Sequence, residues 1–307
     1  IFMTSPTFAD REGEYASVIR AAGQAGLLTF LHCEDGVVLA EAVQKLTAAG
    51  HTSLRYYSES RPVDAELRAV ERAVALCEKT GAPIYIVHLS SGKALAACRA
   101  ARDRGLPVSV ETRPLYLYFT RERYLQADGP LYVGQPPLRE QSDVEALWQG
   151  MAGGWVDVLG SDHAPWTREQ KMDAGLNIAK LRPGVADLQT MLPVLYSEGV
   201  SKGRISLQRF VALIASRAAR LLGLYPRKGA IAVGSDADLA LWDLGAVRKL
   251  TADVLHSRAG FSLHEGWEIR GWPVMTIRRG EVVCEQGRIR AAPGTGRVLT
   301  RAAAQAR

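Results

Sequence analysis

What is missing from the 307 residues narrows the options first. Nowhere do about 20 apolar residues run together, so no segment reads as a membrane span. The opening Ile1-Phe2-Met3-Thr4-Ser5-Pro6 places no basic stretch ahead of an apolar one, as a secretory signal would. Cysteine is scarce. Cys33, Cys77, Cys98 and Cys284 include no C-x-x-C pair, which argues against a disulfide framework and leaves reduced thiols in a cytoplasmic protein as the expectation. Concentrated charge is missing too: the net charge is +6, with Lys and Arg dispersed along helical segments, so neither nucleic acid nor a membrane is an expected partner.

A composition that is 47% hydrophobic and 23% charged suits a compact fold with one large core or two smaller ones. Short β-branched runs alternate with longer helical patterns through the first half, the signature of βα units feeding a parallel sheet. The first unit is a strand over 27–31 and a helix over 37–49, with Asp35 as cap and Gly50 as stop. A helix over 64–80, ending before Gly81, gathers Leu67, Val70, Val74 and Cys77 on one face. A strand over 84–87, a helix over 92–104 and a strand over 108–110 follow. A helix over 144–151, with Ser142 as cap, leads to a strand over 156–160. Such a pattern fits either a barrel or an open doubly wound sheet. After a helix over 207–222, short strands over 229–234, 237–242 and 274–277 suggest a small all-β module beginning near Pro226.

Three metal-competent side chains each stand directly after an expected strand: His32 in L-H-C-E-D, His88 in I-V-H-L-S-S and Asp162 in L-G-S-D-H-A-P. Singly, each has a structural explanation, as a hydrogen-bonded histidine or a helix cap. Parallel α/β folds, however, build their sites at the C-terminal ends of strands, so all three should project into one mouth. Two imidazoles and a carboxylate suit zinc or a similar ion. His163, next to Asp162, points to the other face of an extended segment. His51, His256 and His264 fall in expected loops as surface or packing residues.

I-V-H-L-S-S (86–91), E-T-R-P-L-Y-L (111–117), P-P-L-R (136–139) and S-D-H-A-P (161–165) together resemble the hydantoinase, dihydropyrimidinase, allantoinase and dihydroorotase group. S-R-P (60–62), L-Y-P-R-K-G-A-I-A-V-G-S-D-A-D-L (224–239) and H-E-G-W (264–267) extend that resemblance, which runs in order from Ile1 to about Val283.

The resemblance implies a (β/α)8 TIM barrel beside a small β-sandwich, with two divalent metals, Zn2+ being the expected ion. On that reading 1–225 are the C-terminal part of the barrel, about four βα units, 226–290 the sandwich and 291–307 a flexible tail. His32 and His88 match two of the family's metal-binding histidines. Asp162 matches its aspartate, a metal ligand that also moves the proton. The opening segment resembles the one after the family's metal-bridging lysine, so that lysine and an H-x-H pair are expected outside this chain, which alone should be a weak catalyst or none.

The same resemblance points to substrate contacts. Gln135 precedes P-P-L-R where hydantoinases carry Ser and dihydroorotases Asn, and its amide can donate and accept. Pro183 and Gly184 form the later Pro-Gly loop, where proline keeps a carbonyl acceptor but has no N–H. Trp166 stands where dihydroorotases carry a second histidine, and its single donor and apolar face favour a neutral ring. The expected partner is therefore a small cyclic amide, a hydantoin or dihydropyrimidine, in a homo-oligomeric enzyme. Allantoinase or dihydroorotase activity is the alternative within the group; a non-catalytic scaffold or an inactive fragment is the alternative outside it.

Overall fold

The computed structural model describes residues 1–8 and 10–300; residues 301–307, the end of the expected tail, lie outside the described residues. Two four-stranded sheets organise it. The first is parallel, in the order β1 (Thr29–Leu31), β2 (Ile84–Ile86), β3 (Val108–Thr112), β4 (Val158–Leu159). Its register pairs Leu31 with Ile86 and Ile86 with Val110. The α/β class expected from the alternation is therefore present.

The connecting helices form where their caps and apolar faces demand. Asp35 accepts from the backbone of Val37 and Val38 at 3.0 and 3.2 Å and starts the helix Gly36–Ala48. The helix Val63–Thr80 buries Ala69, Val70, Ala73, Val74 and Cys77 and ends at Gly81 in a left-handed turn. These side chains share one core with Ile19, Leu95, Cys98, Leu147 and Met151 from the other helices and with Leu31, Ile84, Ile86 and Val110 from the strands. Ser142 is not a cap. The helix runs Gln141–Gly153, and Glu140 and Asp143 form a reciprocal capping box two residues earlier than expected, because a carboxylate serves as well as a hydroxyl.

The second sheet is antiparallel, with β5 (Leu239–Lys249), β6 (Glu268–Arg278), β7 (Glu281–Glu285) and β8 (Arg288–Ile289) in sequential order. Among the described residues it is one sheet where a sandwich was expected. The helix Leu188–Leu195 lies against it: Val194 packs with Leu250, Ile269 and Trp272. Residues 229–234 form turns and no strand, and their apolar members Ile231 and Val233 face solvent. The described part of the tail, 291–300, contains no helix or strand.

Candidate metal and substrate site

All three expected ligands sit at or just beyond the C-terminal ends of parallel strands. His32 follows β1, His88 comes two residues after β2 and Asp162 three after β4. Two of them have a backbone that L-residues rarely adopt: φ is 39° at His88 and 43° at Asp162. Such a conformation costs on the order of 1–3 kcal/mol and persists only when the surroundings fix it. At His88 they do, since Glu111 accepts its backbone N–H at 3.2 Å and Tyr85 donates to the same carboxylate at 2.7 Å. Gly160 makes this possible, because a Cβ there would lie 2.4 Å from the Glu111 carboxyl carbon.

His32 and His88 meet. Nδ1 of His32 lies 2.9 Å from Nε2 of His88, with both rings buried. The Nε2–H of His32 can donate to Glu34 at 2.9 Å, which leaves Nδ1 as a lone pair directed at His88. Glu34 is fully buried and also receives both arms of Arg61. Burial pushes its pKa up, but the His32 and Arg61 contacts together outweigh that and hold it at about 2. His88 is held neutral: burial first, then its neighbours His32 and Arg113, push its pKa well below the usual histidine range.

This pair fits a metal on two counts. Nitrogens about 2.0–2.1 Å from one tetrahedral zinc ion stand about 3.3–3.4 Å apart, so the 2.9 Å contact seen here would need to open by only a few tenths of an ångström to admit one. Moreover, Nδ1 of His88 is buried without a hydrogen-bond partner among the described residues, and in the tautomer that carries its proton there Nε2 presents a second lone pair toward the one on His32, the arrangement two ligating imidazoles need. A carboxylate on the far nitrogen of His32 is the usual support of a ligating imidazole.

Asp162 is not brought to the histidine pair. It lies 2.8 Å from Nη1 of Arg113, a side chain with no exposed surface, while Asp162 itself is 45% exposed. The N–H of Nη1 is not aligned with the carboxylate, so this is an ion pair without a good hydrogen bond there. Among the described residues no three His, Cys, Asp or Glu side chains come close enough to hold one ion. The three-ligand site expected from strand ends is thus a histidine pair with the aspartate turned to a guanidinium. Arg113 also influences Asp187, whose buried carboxylate has no hydrogen-bond partner of good geometry among the described residues; burial raises its pKa to about 7 against the pull of Arg113.

The four expected substrate contacts lie in interlocked loops. Trp166 Nε1 donates to the Pro183 carbonyl at 2.8 Å, and the Gly184 N–H donates to Val133 at 3.0 Å, two residues before Gln135. Gly184 has φ 117° and packs so closely that a Cβ would meet the Ala164 carbonyl oxygen at 2.6 Å. The donor expected of Trp166 is therefore spent inside the protein, and Arg182 lies over its ring at 5.2 Å. Gln135, in a cis peptide bond with Pro136, is half-buried, and its side chain makes no hydrogen bond among the described residues. His163 accepts from the Leu188 backbone at 3.3 Å. His51 stacks on Tyr56, His256 is exposed, and His264 is buried among Tyr118, Phe119 and Trp267.

Sequence reasoning missed Glu34, Arg61, Arg113, Glu111 and Asp187. The signal for Glu34 was present in L-H-C-E-D, since alternation along an extended segment puts residues 32 and 34 on one side.

A parallel sheet with polar side chains gathered beyond its strand ends, His32 and His88 in contact and Asp162 in a following loop, is an α/β architecture of the kind that carries a site at that edge. The chain belongs to the amidohydrolase family, whose model matches residues 86–283. A D-hydantoinase of Rhizobium radiobacter is 37% identical over 283 residues, 91% of this chain and 62% of the relative. A D-phenylhydantoinase of Escherichia coli O1:K1 is 36% identical over 292 residues, 94% and 63%. Among solved structures, a D-hydantoinase (dihydropyrimidinase) from Thermus sp. superimposes with a TM-score of 0.95 at 33% identity, covering 99% of this chain and 67% of that one. An L-hydantoinase from Arthrobacter aurescens gives 0.89 at 32% identity, covering 94% and 64%. The chain spans about 62% of the length of the first of these curated relatives. Amidohydrolases generally work with divalent metals.

Proposed function

We propose that this chain carries part of the site of a metal-dependent hydrolase that opens the C–N bond of a cyclic amide, a hydantoin or a dihydropyrimidine. The observation that carries the reading is the buried pair of His32 Nδ1 and His88 Nε2 at 2.9 Å, braced by Glu34. In this reading β1 to β4 are four successive units of a (β/α)8 barrel, the β module begins near Pro226, and the protein works as a homo-oligomer.

His32 and His88 would hold a divalent ion, with Zn2+ suited to two neutral imidazoles. Such an ion supplies a Lewis acid for the scissile carbonyl and makes water a stronger nucleophile. The chain's residues do the rest. Asp162, partly exposed at the mouth, accepts the proton of the attacking water and passes it to the leaving amide nitrogen. Gln135 offers a donor and an acceptor to the ring's amide edge.

One observation favours a second reading: Arg113 neutralises Asp162, which suits a non-catalytic homologue. A panel of 5-substituted hydantoins, dihydrouracil, allantoin and dihydroorotate, assayed for ring opening with added zinc, separates the two. Opening of a neutral ring, abolished by Asp162→Asn, supports the enzyme. Full activity in that variant refutes the assigned role, and opening of dihydroorotate or allantoin alone moves the substrate to the other branch. Bound metal with no ring opened, in a protein completed with the expected H-x-H pair and bridging lysine, supports the scaffold.

A further inference from the structure

Lys171 is a lysine with 1% of its surface exposed, on the short helix Arg168–Lys171 that follows the Asp162 loop. Lysine is almost never buried so completely unless its charge is met. Here its Nζ donates to three main-chain carbonyls, Val133 at 2.7 Å, Arg182 at 3.0 Å and Gly184 at 3.0 Å. An ammonium has three donors, so none is spare and none is missing. The lysine pKa is lowered to about 7 by burial and then by the Arg113 charge, yet the three carbonyls are a shell that only the protonated form can use fully.

The acceptors come from two separate loops. Val133 leads into Gly134-Gln135-Pro136, while Arg182 and Gly184 flank Pro183, whose carbonyl anchors Trp166. Apart from Lys171, one backbone bond, Gly184 N–H to Val133 at 3.0 Å, is the direct tie between these two stretches. The Gln135 loop is pinned on its other sides as well: Tyr57 donates to the Gly134 carbonyl at 2.7 Å and Tyr116 to the Pro136 carbonyl at 2.7 Å. Among the described residues its distance from the Pro-Gly loop is set by Lys171 and the Gly184–Val133 bond together.

We propose that Lys171 is a positioning residue, which locks the loop carrying Gln135 to the loop Arg182–Gly184 and so fixes the slot that receives the ring of a cyclic amide. The inference rests on the proposed function for what fills the slot, but not for the lock itself. Loss of the ammonium leaves the Arg182 and Gly184 carbonyls buried without a donor among the described residues and the Val133 carbonyl with the Gly184 N–H alone, and the two loops part because the freed carbonyls then seek water. A substrate read by both loops loses affinity, whereas the Asp162 side chain is held by Arg113 and not by either loop, so chemistry there changes little once the ring is bound.

The test uses the full chain with Lys171→Met and Lys171→Ala. Amide hydrogen exchange over 133–137 and 182–186 should accelerate at least tenfold in both loops of Lys171→Met, with the helices Val63–Thr80 and Gln141–Gly153 unchanged. For whichever ring the wild type opens, KM should rise at least tenfold while kcat changes less than threefold. In Lys171→Ala, n-propylammonium replaces the deleted atoms and should restore both protection and KM, which propanol, carrying no charge, should not. Should the Met variant not fold, Lys171→Ala refolded in n-propylammonium carries the same comparison. Unchanged exchange in either loop, loosened loops with KM unaltered, or equal rescue by propanol overturns the proposal. If the wild type opens no ring, the substrate reading fails by itself and the exchange and rescue arms alone decide the lock.

Discussion

Replacing Glu34 by Gln keeps the shape of the side chain and removes its charge from a position with no solvent exposure. Two partners respond. The Arg61 guanidinium, 12% exposed, loses its counter-ion, and breaking a buried pair from one side costs on the order of 3–5 kcal/mol. The amide can still accept from Arg61, so the loss should lie at the lower end, about 3 kcal/mol. His32 responds through its tautomer. If the amide nitrogen turns toward it at the 2.9 Å now spanned to the carboxylate, Nε2 must become the acceptor and the proton moves to Nδ1. That removes the lone pair facing His88, and loss of such a supporting carboxylate typically lowers metal affinity about 10–100-fold. Urea unfolding at pH 7 gives the first magnitude, zinc titration calorimetry the second, and 15N shifts of the His32 ring report the tautomer. A variant with wild-type stability, zinc affinity within twofold and Nε2 still protonated would refute the reasoning.

Asp187→Asn should raise stability at pH 8 and leave it nearly unchanged at pH 4. The folded carboxyl titrates near 7, above its ordinary value of 3.8, so the native state binds the extra proton between those values and loses stability as pH rises through them. At about 1.4 kcal/mol per pKa unit the gain at pH 8 is at most roughly 4 kcal/mol, and melts of both proteins across that range read it; a pH-independent difference would contradict it. Gly160→Ala should lower the melting temperature by several degrees, because the methyl group displaces the Glu111 carboxylate that holds His88 in its left-handed backbone, whereas Gly50→Ala, where a Cβ meets nothing, should pay only the backbone strain. Ile231, Val233 and Ile289, between 72% and 109% exposed, should make the chain self-associate, and a sharp monomer by light scattering at micromolar concentration would count against that.

The parallel sheet was legible because its signals are local. Asp35, Gly81 and the apolar face of Val70, Val74 and Cys77 act within a few residues, and the structure uses each as written. His32 and His88 meet, as strand ends bring side chains together, because the register that pairs Leu31 with Ile86 carries both to nearly one level of the sheet. Asp162 was harder. Its direction depends on Arg113, 49 residues away, and on a φ of 43° that no pattern of apolar residues encodes. The loop contacts of Trp166, Pro183 and Gly184 were placed in the right region, but their polar atoms are spent on one another and on Lys171, a pairing set only when two distant loops meet. The strand expected over 229–234 was over-read from its alternating apolar residues, since Gly229 and Gly234 mark turns without a strand between them.

Metal binding at the histidine pair is the claim on which the functional reading stands, and cobalt(II) titration of the native protein, followed by its visible absorption bands, tests it directly. The native protein should bind a divalent ion through nitrogen ligands, and a His32→Ala, His88→Ala double variant that melts like the native protein should bind it more than about 100-fold more weakly, beyond the loss expected for a supporting group. No nitrogen-ligated cobalt in the native protein, or equal binding by the double variant, would contradict the account.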